Sequence, residues 1–374
     1  MNDYIELIKE ISFSSPSKIL LLVIDGMGGL PDPATGKTEL ETAHTPNLNH
    51  LAGKGICGLT NPVAPGITPG SAPGHLALFG YDPVRCNIGR GVLEAVGIDF
   101  DLKPGDVSTR GNFCTIDEKG LVTDRRAGRI STEQCAELCQ LLDGISVGNV
   151  KVLVSPVKEH RFVAVFRGEG LTDQVSESDP QQTGIAPREF KPLAKEAGKM
   201  ADTVNAFAAQ AKAKLVGRQP ANMLLLRGFS THPHLPSIEE IYKLNPAAIA
   251  VYPMYRGLAK LAGMEILPTG TTLEEEVATL KQHYAGHDFF FMHVKWTDSS
   301  GEDGDFNRKV NVFEQIDRII PEILNLEPDV IVIAGDHSTP AMLKGHSWHP
   351  VPVLLYSKYC RPDKVTEFSE SACI

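Results

Sequence analysis

The chain has 374 residues, 42% hydrophobic and 22% charged, an ordinary globular composition and long enough for more than one core. A formal net charge of −10 argues against nucleic acid or an anionic membrane as the main partner, and leaves room for a small phosphorylated molecule held by local basic residues. Seven cysteines without a Cys-x-x-Cys pair read as reduced thiols of a cytoplasmic protein; residues 1–17 lack the pattern of a signal peptide, and no apolar stretch reaches membrane-spanning length.

The first strong element is the apolar run 19–24, the pattern of a strand buried on both faces of a parallel sheet. It stops at Asp25-Gly26-Met27-Gly28. In open α/β sheets ligands bind beyond the carboxyl ends of the strands, so Asp25 stands where chemistry is done. A dinucleotide-binding turn is the other reading of a strand followed by glycines. That motif requires glycine where this chain has Pro31, and an aspartate at the strand end repels a pyrophosphate. Further on, Thr68-Pro69-Gly70-Ser71-Ala72-Pro73-Gly74-His75 surrounds Ser71 with small residues that allow a tight turn into a short helix, whose N-terminus favours an anion. Taken alone, Ser71 reads more simply as a helix cap.

From about 101 to 220 the chain is richer in charge, has few continuous apolar runs apart from 161–166, and closes with a helical stretch near 193–215. This segment reads as a smaller domain inserted into an α/β core formed by 1–100 and 221–374. It carries Arg110, Arg125, Arg126, Arg129, His160 and Arg161, and Arg227 follows the apolar run 222–226. Guanidinium groups bind carboxylate and phosphate through paired hydrogen bonds, which suits an acidic phosphorylated substrate. A solvated basic face is the plainer reading of such a charge run.

The run 288–294 ends at Lys295-Trp296-Thr297-Asp298, with Glu302, Asp303 and Asp305 beyond it. So many carboxylates beside one strand end repel each other unless cations are present. Asp298, nearest the strand, reads as a ligand, whereas Asp303 and Asp305 fit a solvated loop as well. Lys295 is placed to neutralise a transferring phosphoryl group. Phe306, Val310, Phe313, Ile316, Ile320 and Leu324 then recur at helical spacing behind Asp305 as N-cap and lead into the run 329–334, a strand-helix-strand crossover. That run stops at Asp336-His337, and His346 and His349 precede a final strand at 351–356. Asp and His together suit a hard or borderline divalent ion, and two ligand sets with a hydroxyl suit two-metal phosphoryl transfer.

Asp-Gly-Met-Gly at 25–28, the Pro-Gly-Ser-x-Pro-Gly-His-x-x-Leu-Phe-Gly-Tyr-Asp-Pro stretch at 69–83, Gly89-Arg90-Gly91-Val92-Leu93-Glu94-Ala95, Asp124-Arg125-Arg126-Ala127-Gly128-Arg129 and Gly-Asp-His-Ser-Thr-Pro at 335–340 resemble the motifs of the archaeal-type, cofactor-independent phosphoglycerate mutases of the alkaline phosphatase superfamily. The resemblance runs from about residue 18 to 357 with the motifs in order. It implies an alkaline-phosphatase-like core, a mostly parallel sheet between helices, and a smaller inserted α+β domain that caps the substrate. The implied activity is interconversion of 3-phosphoglycerate and 2-phosphoglycerate through a phosphoserine, without 2,3-bisphosphoglycerate and with two divalent metal ions.

By position, the resemblance makes Asp25, Ser71, Asp336 and His337 the holders of one ion, Ser71 also being the residue that is phosphorylated, and Asp298 and His346 ligands of the other. Glu302 stands where the family usually has His, which favours Mn or Mg over Zn and opens the alternative of an altered activity. His349 stands where the family tends to have Asp or Asn. The substrate would fall to Arg110, Arg125, Arg126, Arg129, His160, Arg161, Arg227 and Lys295, and closure of the inserted domain would exclude water. A metal-dependent phosphatase, a phosphotransferase such as a homoserine kinase-like enzyme, and a non-catalytic relative share these motifs.

Overall fold

The structure is a computed structural model that describes residues 3–86, 88–231, 233 and 235–374. In chain order its strands are β1 (Ile19–Ile24), β2 (Ile56–Thr60), β3 (Val107–Ile116), β4 (Val122–Asp124), β5 (Ser146–Val147), β6 (Val150–Lys158), β7 (Arg161–Arg167), β8 (Met223–Thr231), β9 (Pro246–Ile249), β10 (Glu265–Ile266), β11 (Phe289–Val294), β12 (Val330–Ala334) and β13 (Val351–Ser357). They fall in two units, Met1–Asn87 with Leu235–Ile374, and Ile88–His234.

The first unit is built on a sheet of order β10-β9-β11-β1-β12-β13-β2. From β10 to β12 the neighbours run parallel, and β13 is antiparallel to both β12 and β2. Leu20 to Ile24 of β1 are all buried, which a parallel strand covered on both faces requires. The helix Phe306–Leu324 joins β11 to β12 and spans β1 between them. Its Val312, Phe313, Ile316, Ile320 and Ile323 share one core with Leu22, Phe290 and Ile333. Asp305 caps it by accepting a hydrogen bond from Arg308 N at 3.0 Å.

The second unit is an antiparallel sheet of order β4-β3-β7-β6-β5, with β8 also paired to β3. Helices Thr132–Leu142 and Gly198–Leu215 contribute Cys135, Leu138, Phe207 and Leu215 to its own core, together with Val152, Phe162 and Phe166. The unit begins at Ile88 and runs to His234, wider than the segment 101–220 expected from composition. The reason lies in helix Arg90–Gly97. Its Ala95 packs with Val163 and Val165 of β7, and Val92 N donates to Ser230 Oγ at 3.2 Å. At the other end β8 continues to Thr231, opposite Val107. The helix expected at 193–215 starts at Gly198, after a single turn of tighter helix at Lys195–Ala197. Among the described residues no helix is long and apolar enough to cross a membrane.

Candidate metal and phosphoryl-transfer site

Register alone brings the strand-end residues of the first unit together. Val23 of β1 lies opposite His293 of β11 and Ala334 of β12. Just beyond the paired residues, Asp25 Oδ2 meets Lys295 Nζ at 3.1 Å, and Asp336 follows β12 on the other side. The chain turns at Gly26 with φ of +65°, where a Cβ would stand 2.7 Å from Thr339 Oγ1 and 2.8 Å from Asp298 Cβ. Only glycine fits that turn, and its N–H donates to Asp336 Oδ1 at 3.0 Å. Ser71 is the first residue of helix Ser71–Leu78. Gly74 lets this helix approach β12, since a Cβ there would meet the Asp336 carbonyl at 2.2 Å. Ser71 Oγ consequently lies 3.2 Å from His337 Nε2.

Two groups of donor atoms result, Asp25 with Asp336 and His337, and Asp298 with His337 and His346; within each, all donor atoms lie within 4.8 Å of one another. His337 Nε2 is 3.1 Å from Asp336 Oδ2 and 3.5 Å from Asp25 Oδ1, and His346 Nε2 is 3.5 Å from Asp298 Oδ1. Asp25 Oδ1 and Asp336 Oδ2 are buried without a hydrogen-bond donor. Buried carboxylate oxygens left so are costly, and a cation satisfies them. The oxygen and imidazole donors fit Mg, Mn or a borderline ion. His346 directs Nδ1 at the Pro69 carbonyl at 3.0 Å; a carbonyl only accepts, so the proton sits on Nδ1 and Nε2 offers its lone pair to the group.

The electrostatics agree. Burial and the neighbouring Asp336 push the Asp25 carboxyl up, and Lys295 with His293 outweigh them, holding it below the usual carboxylate range. Burial likewise raises Asp336, and His337 and His75 hold it well below that range. Burial lowers His337, but Asp336, Asp25 and Asp298 push it up to about 9. A field that strong is one that positive charge offsets.

Three residues that strand-end reasoning passes over complete the surroundings. His75 is fully buried, with Nδ1 2.8 Å from the Ser71 carbonyl and 3.2 Å from Asp336 Oδ2. His293 Nε2 lies 2.9 Å from Asp25 Oδ2, and Tyr255 stacks on its ring at 3.7 Å between centroids. His75 was visible inside the Ser71 motif and His293 as a histidine within an apolar strand, whereas Tyr255 carries no sequence signal. Lys295 Nζ reaches Asp25 Oδ2 at 3.1 Å, Asp298 Oδ2 at 2.5 Å and Tyr255 OH at 2.8 Å, bridging one carboxylate from each donor group. Glu302 is exposed, with Oε1 3.9 Å from His346 Nε2, at the margin of the second group. His349 stands apart from both groups; its carbonyl accepts from Ser338 Oγ at 3.0 Å and its Nδ1 faces Ser347 Oγ.

The second unit gathers most of its basic candidates around two residues. Burial pushes Glu94 up against the opposing pull of Arg110, Arg161, Arg90 and Arg227, and Arg110 Nε lies 3.1 Å from Glu94 Oε1. Burial, then Arg161, Arg110, Arg126 and Arg129, push His160 down to about 4, so this imidazole is neutral at pH 7. Arg110 Nε is thus ion-paired with Glu94, whereas Arg161 Nε is buried without a hydrogen-bond acceptor, as a guanidinium that an anion could satisfy. Arg125 is oriented otherwise, since its fork is closed on Asp179 by bonds of 3.0 and 2.7 Å. Arg227 lies 3.7 Å from the same carboxylate.

Similarity to known proteins bears on both units. The sequence model of the family described as 2,3-bisphosphoglycerate-independent phosphoglycerate mutase matches residues 52–222. A Thermus thermophilus protein named "Probable 2,3-bisphosphoglycerate-independent phosphoglycerate mutase" is 50% identical over 373 residues, 98% of this chain and 92% of its own. A Thermotoga maritima protein of the same name is 50% identical over 375 residues, 100% and 93% of the two chains. Among solved structures, the cofactor-independent phosphoglycerate mutase of Thermoplasma acidophilum superposes with a TM-score of 0.71 at 29% identity, over 96% of this chain and 94% of its own. A Pyrococcus horikoshii protein superposes with a TM-score of 0.82 at 28% identity, over 96% and 92%.

Proposed function

The chain belongs to the 2,3-bisphosphoglycerate-independent phosphoglycerate mutases, isomerases that interconvert 3-phosphoglycerate and 2-phosphoglycerate, and we propose that it works through a phosphorylated Ser71. The observation that carries this reading is the Ser71 hydroxyl, at the first residue of a helix and 3.2 Å from Nε2 of His337, a residue of both donor groups. Asp25, Ser71, Asp336 and His337 would hold one divalent ion, and Asp298, His346 and Glu302 the other. Such ions supply Lewis acidity, favouring the serine alkoxide and offsetting charge on the phosphoryl group. With four carboxylates among the ligands, Mg or Mn suits the set better than Zn.

The residues of the chain do the rest. Ser71 Oγ takes the phosphoryl group from one hydroxyl of the glycerate and returns it to the other, so no group is gained or lost and no bisphosphate is needed. The helix N-terminus presents backbone N–H groups toward negative charge at Ser71. Lys295 offsets Asp25 and Asp298 and keeps their repulsion from opening the site. Arg110, Arg161 and Arg227, with Arg126, Arg129 and His160, bind the substrate carboxylate and phosphate, and Arg125 shapes this set through Asp179. Retaining the glycerate between the two transfers is what separates a mutase from a phosphatase, and we assign that retention to the second unit. The basic surroundings accord with a small phosphorylated substrate, and we assign the enzyme to the cytoplasm on its free cysteines.

Replacement Ser71→Ala tests the proposal. Isomer conversion is expected to disappear while Mg2+ binding, measured by calorimetry, persists. Turnover like that of the unaltered chain would remove Ser71 from the mechanism, and phosphate release without isomerisation in the unaltered chain would make it a phosphatase.

A further inference from the structure

Thr339 is fully buried, and its hydroxyl touches both donor groups. Oγ1 lies 2.7 Å from Asp298 Oδ1 and 2.9 Å from His337 Nδ1. A threonine hydroxyl has a single proton to give. Asp298 is paired with the Lys295 ammonium and its carboxylate only accepts, so that proton is committed to Asp298 Oδ1. Toward His337 the hydroxyl must therefore accept, and Nδ1 must carry a hydrogen. The result does not depend on the protonation of the ring. An imidazolium carries hydrogen on both nitrogens, and a neutral ring with hydrogen on Nδ1 has its lone pair on Nε2. Nε2 is the atom that faces Ser71 Oγ, Asp336 Oδ2 and Asp25 Oδ1.

The backbone of Thr339 is fixed from two sides. Its N–H donates to the Gly28 carbonyl at 3.0 Å. Its own carbonyl accepts from Lys309 Nζ at 2.9 Å, and that fully buried lysine also donates to Gly28 O at 3.0 Å. The hydroxyl is thus held in place by the loops that follow β1 and β12, and has little freedom to seek other partners.

We infer that Thr339 is a positioning residue for the mutase reaction. Its one hydroxyl sets the His337 tautomer for the first donor group and, through the same pair of bonds, orients Asp298 of the second. Histidine ligands of metals commonly donate their other N–H to a carboxylate, a backbone carbonyl or water. Here the relay His337 Nδ1–H to Thr339 Oγ1–H to Asp298 Oδ1 joins ligands of two groups, so the groups are set together. The inference rests on the metal-binding reading above.

The test compares the unaltered chain with Thr339→Val, which removes the hydroxyl at similar volume, and Thr339→Ser, which keeps it. Nitrogen NMR of labelled histidine in the unaltered chain is expected to show His337 protonated on Nδ1 with and without Mg2+. In Thr339→Val, Mg2+ affinity and kcat are expected to fall about 10- to 100-fold, with KM for 3-phosphoglycerate little changed, and Thr339→Ser restores them. The inference is overturned by a bare Nδ1 in the NMR spectrum, or by a Thr339→Val chain that binds Mg2+ and turns over like the unaltered one. If Thr339→Val does not fold, the spectrum of the unaltered chain decides alone. An unaltered chain that binds no Mg2+ would instead sink the metal reading itself.

Discussion

Asp25 and Asp336 are buried carboxylates just beyond the ends of neighbouring strands, and different partners keep each of them ionised. Lys295 and His293 serve Asp25; His337 and His75 serve Asp336. Glu276 shows what happens without such partners. It is fully buried on helix Leu273–His283, neither oxygen has a hydrogen-bond donor, and burial pushes its carboxyl up to about 9. The folded state therefore holds a proton there that the unfolded chain, with an ordinary glutamate, loses above about pH 4.5. Stability falls as pH rises from that value toward 9. Replacement Glu276→Gln should remove this dependence: relative to the unaltered chain it gains on the order of 2–4 kcal/mol between pH 5 and pH 8, read by urea unfolding at both. An equal difference at the two pH values would contradict a neutral Glu276. Among the basic residues, Arg161→Ala should raise KM for phosphoglycerate about 10- to 100-fold, the loss of one charge-assisted pair of about 1.5–3 kcal/mol, and change kcat less. Steady-state kinetics showing an unchanged KM would move Arg161 out of the substrate set.

At the scale of elements, what can be read from sequence depends on how many faces are buried. The strands β1, β11 and β12 are continuous apolar runs because helices cover the sheet, and the ends of such runs give Asp25, Asp298 and Asp336 away. The helix Phe306–Leu324 is equally plain from its spacing and cap. Asp305→Ala should cost about 1 kcal/mol in thermal or urea unfolding, and no loss would mean that Arg308 N finds another acceptor. The strand β3 is hidden, since Ser108, Arg110 and Asn112 interrupt its apolar residues, and β6 mixes lysines with valines. His75 and His293 are visible as residues but their roles are not, and Tyr255 gives no signal at all, because what they do comes from contacts around Asp336 and Asp25, residues far away in the chain. Thr339 is visible only as part of a motif, and its two-sided hydrogen bond needs coordinates to be seen.

Among the described residues each unit has a large core of its own, and the donor groups belong entirely to the first unit. Both tryptophans, Trp296 and Trp348, lie in that unit as well. Their fluorescence therefore follows the metal-binding core alone, while backbone circular dichroism follows both units. Mg2+ at 100 times its dissociation constant should stabilise the fluorescence-monitored transition by about 2.7 kcal/mol, and a chelator should reverse it. A fluorescence transition indifferent to Mg2+ would place binding elsewhere. The most direct test of phosphoryl transfer through Ser71 is a rapid acid quench of the full chain with Mg2+ and 2-phosphoglycerate labelled in its phosphorus, followed by peptide mapping. We predict label on the peptide containing Ser71 during turnover and in 3-phosphoglycerate afterwards, with little inorganic phosphate. Conversion of the isomers with no label ever reaching Ser71 would contradict it.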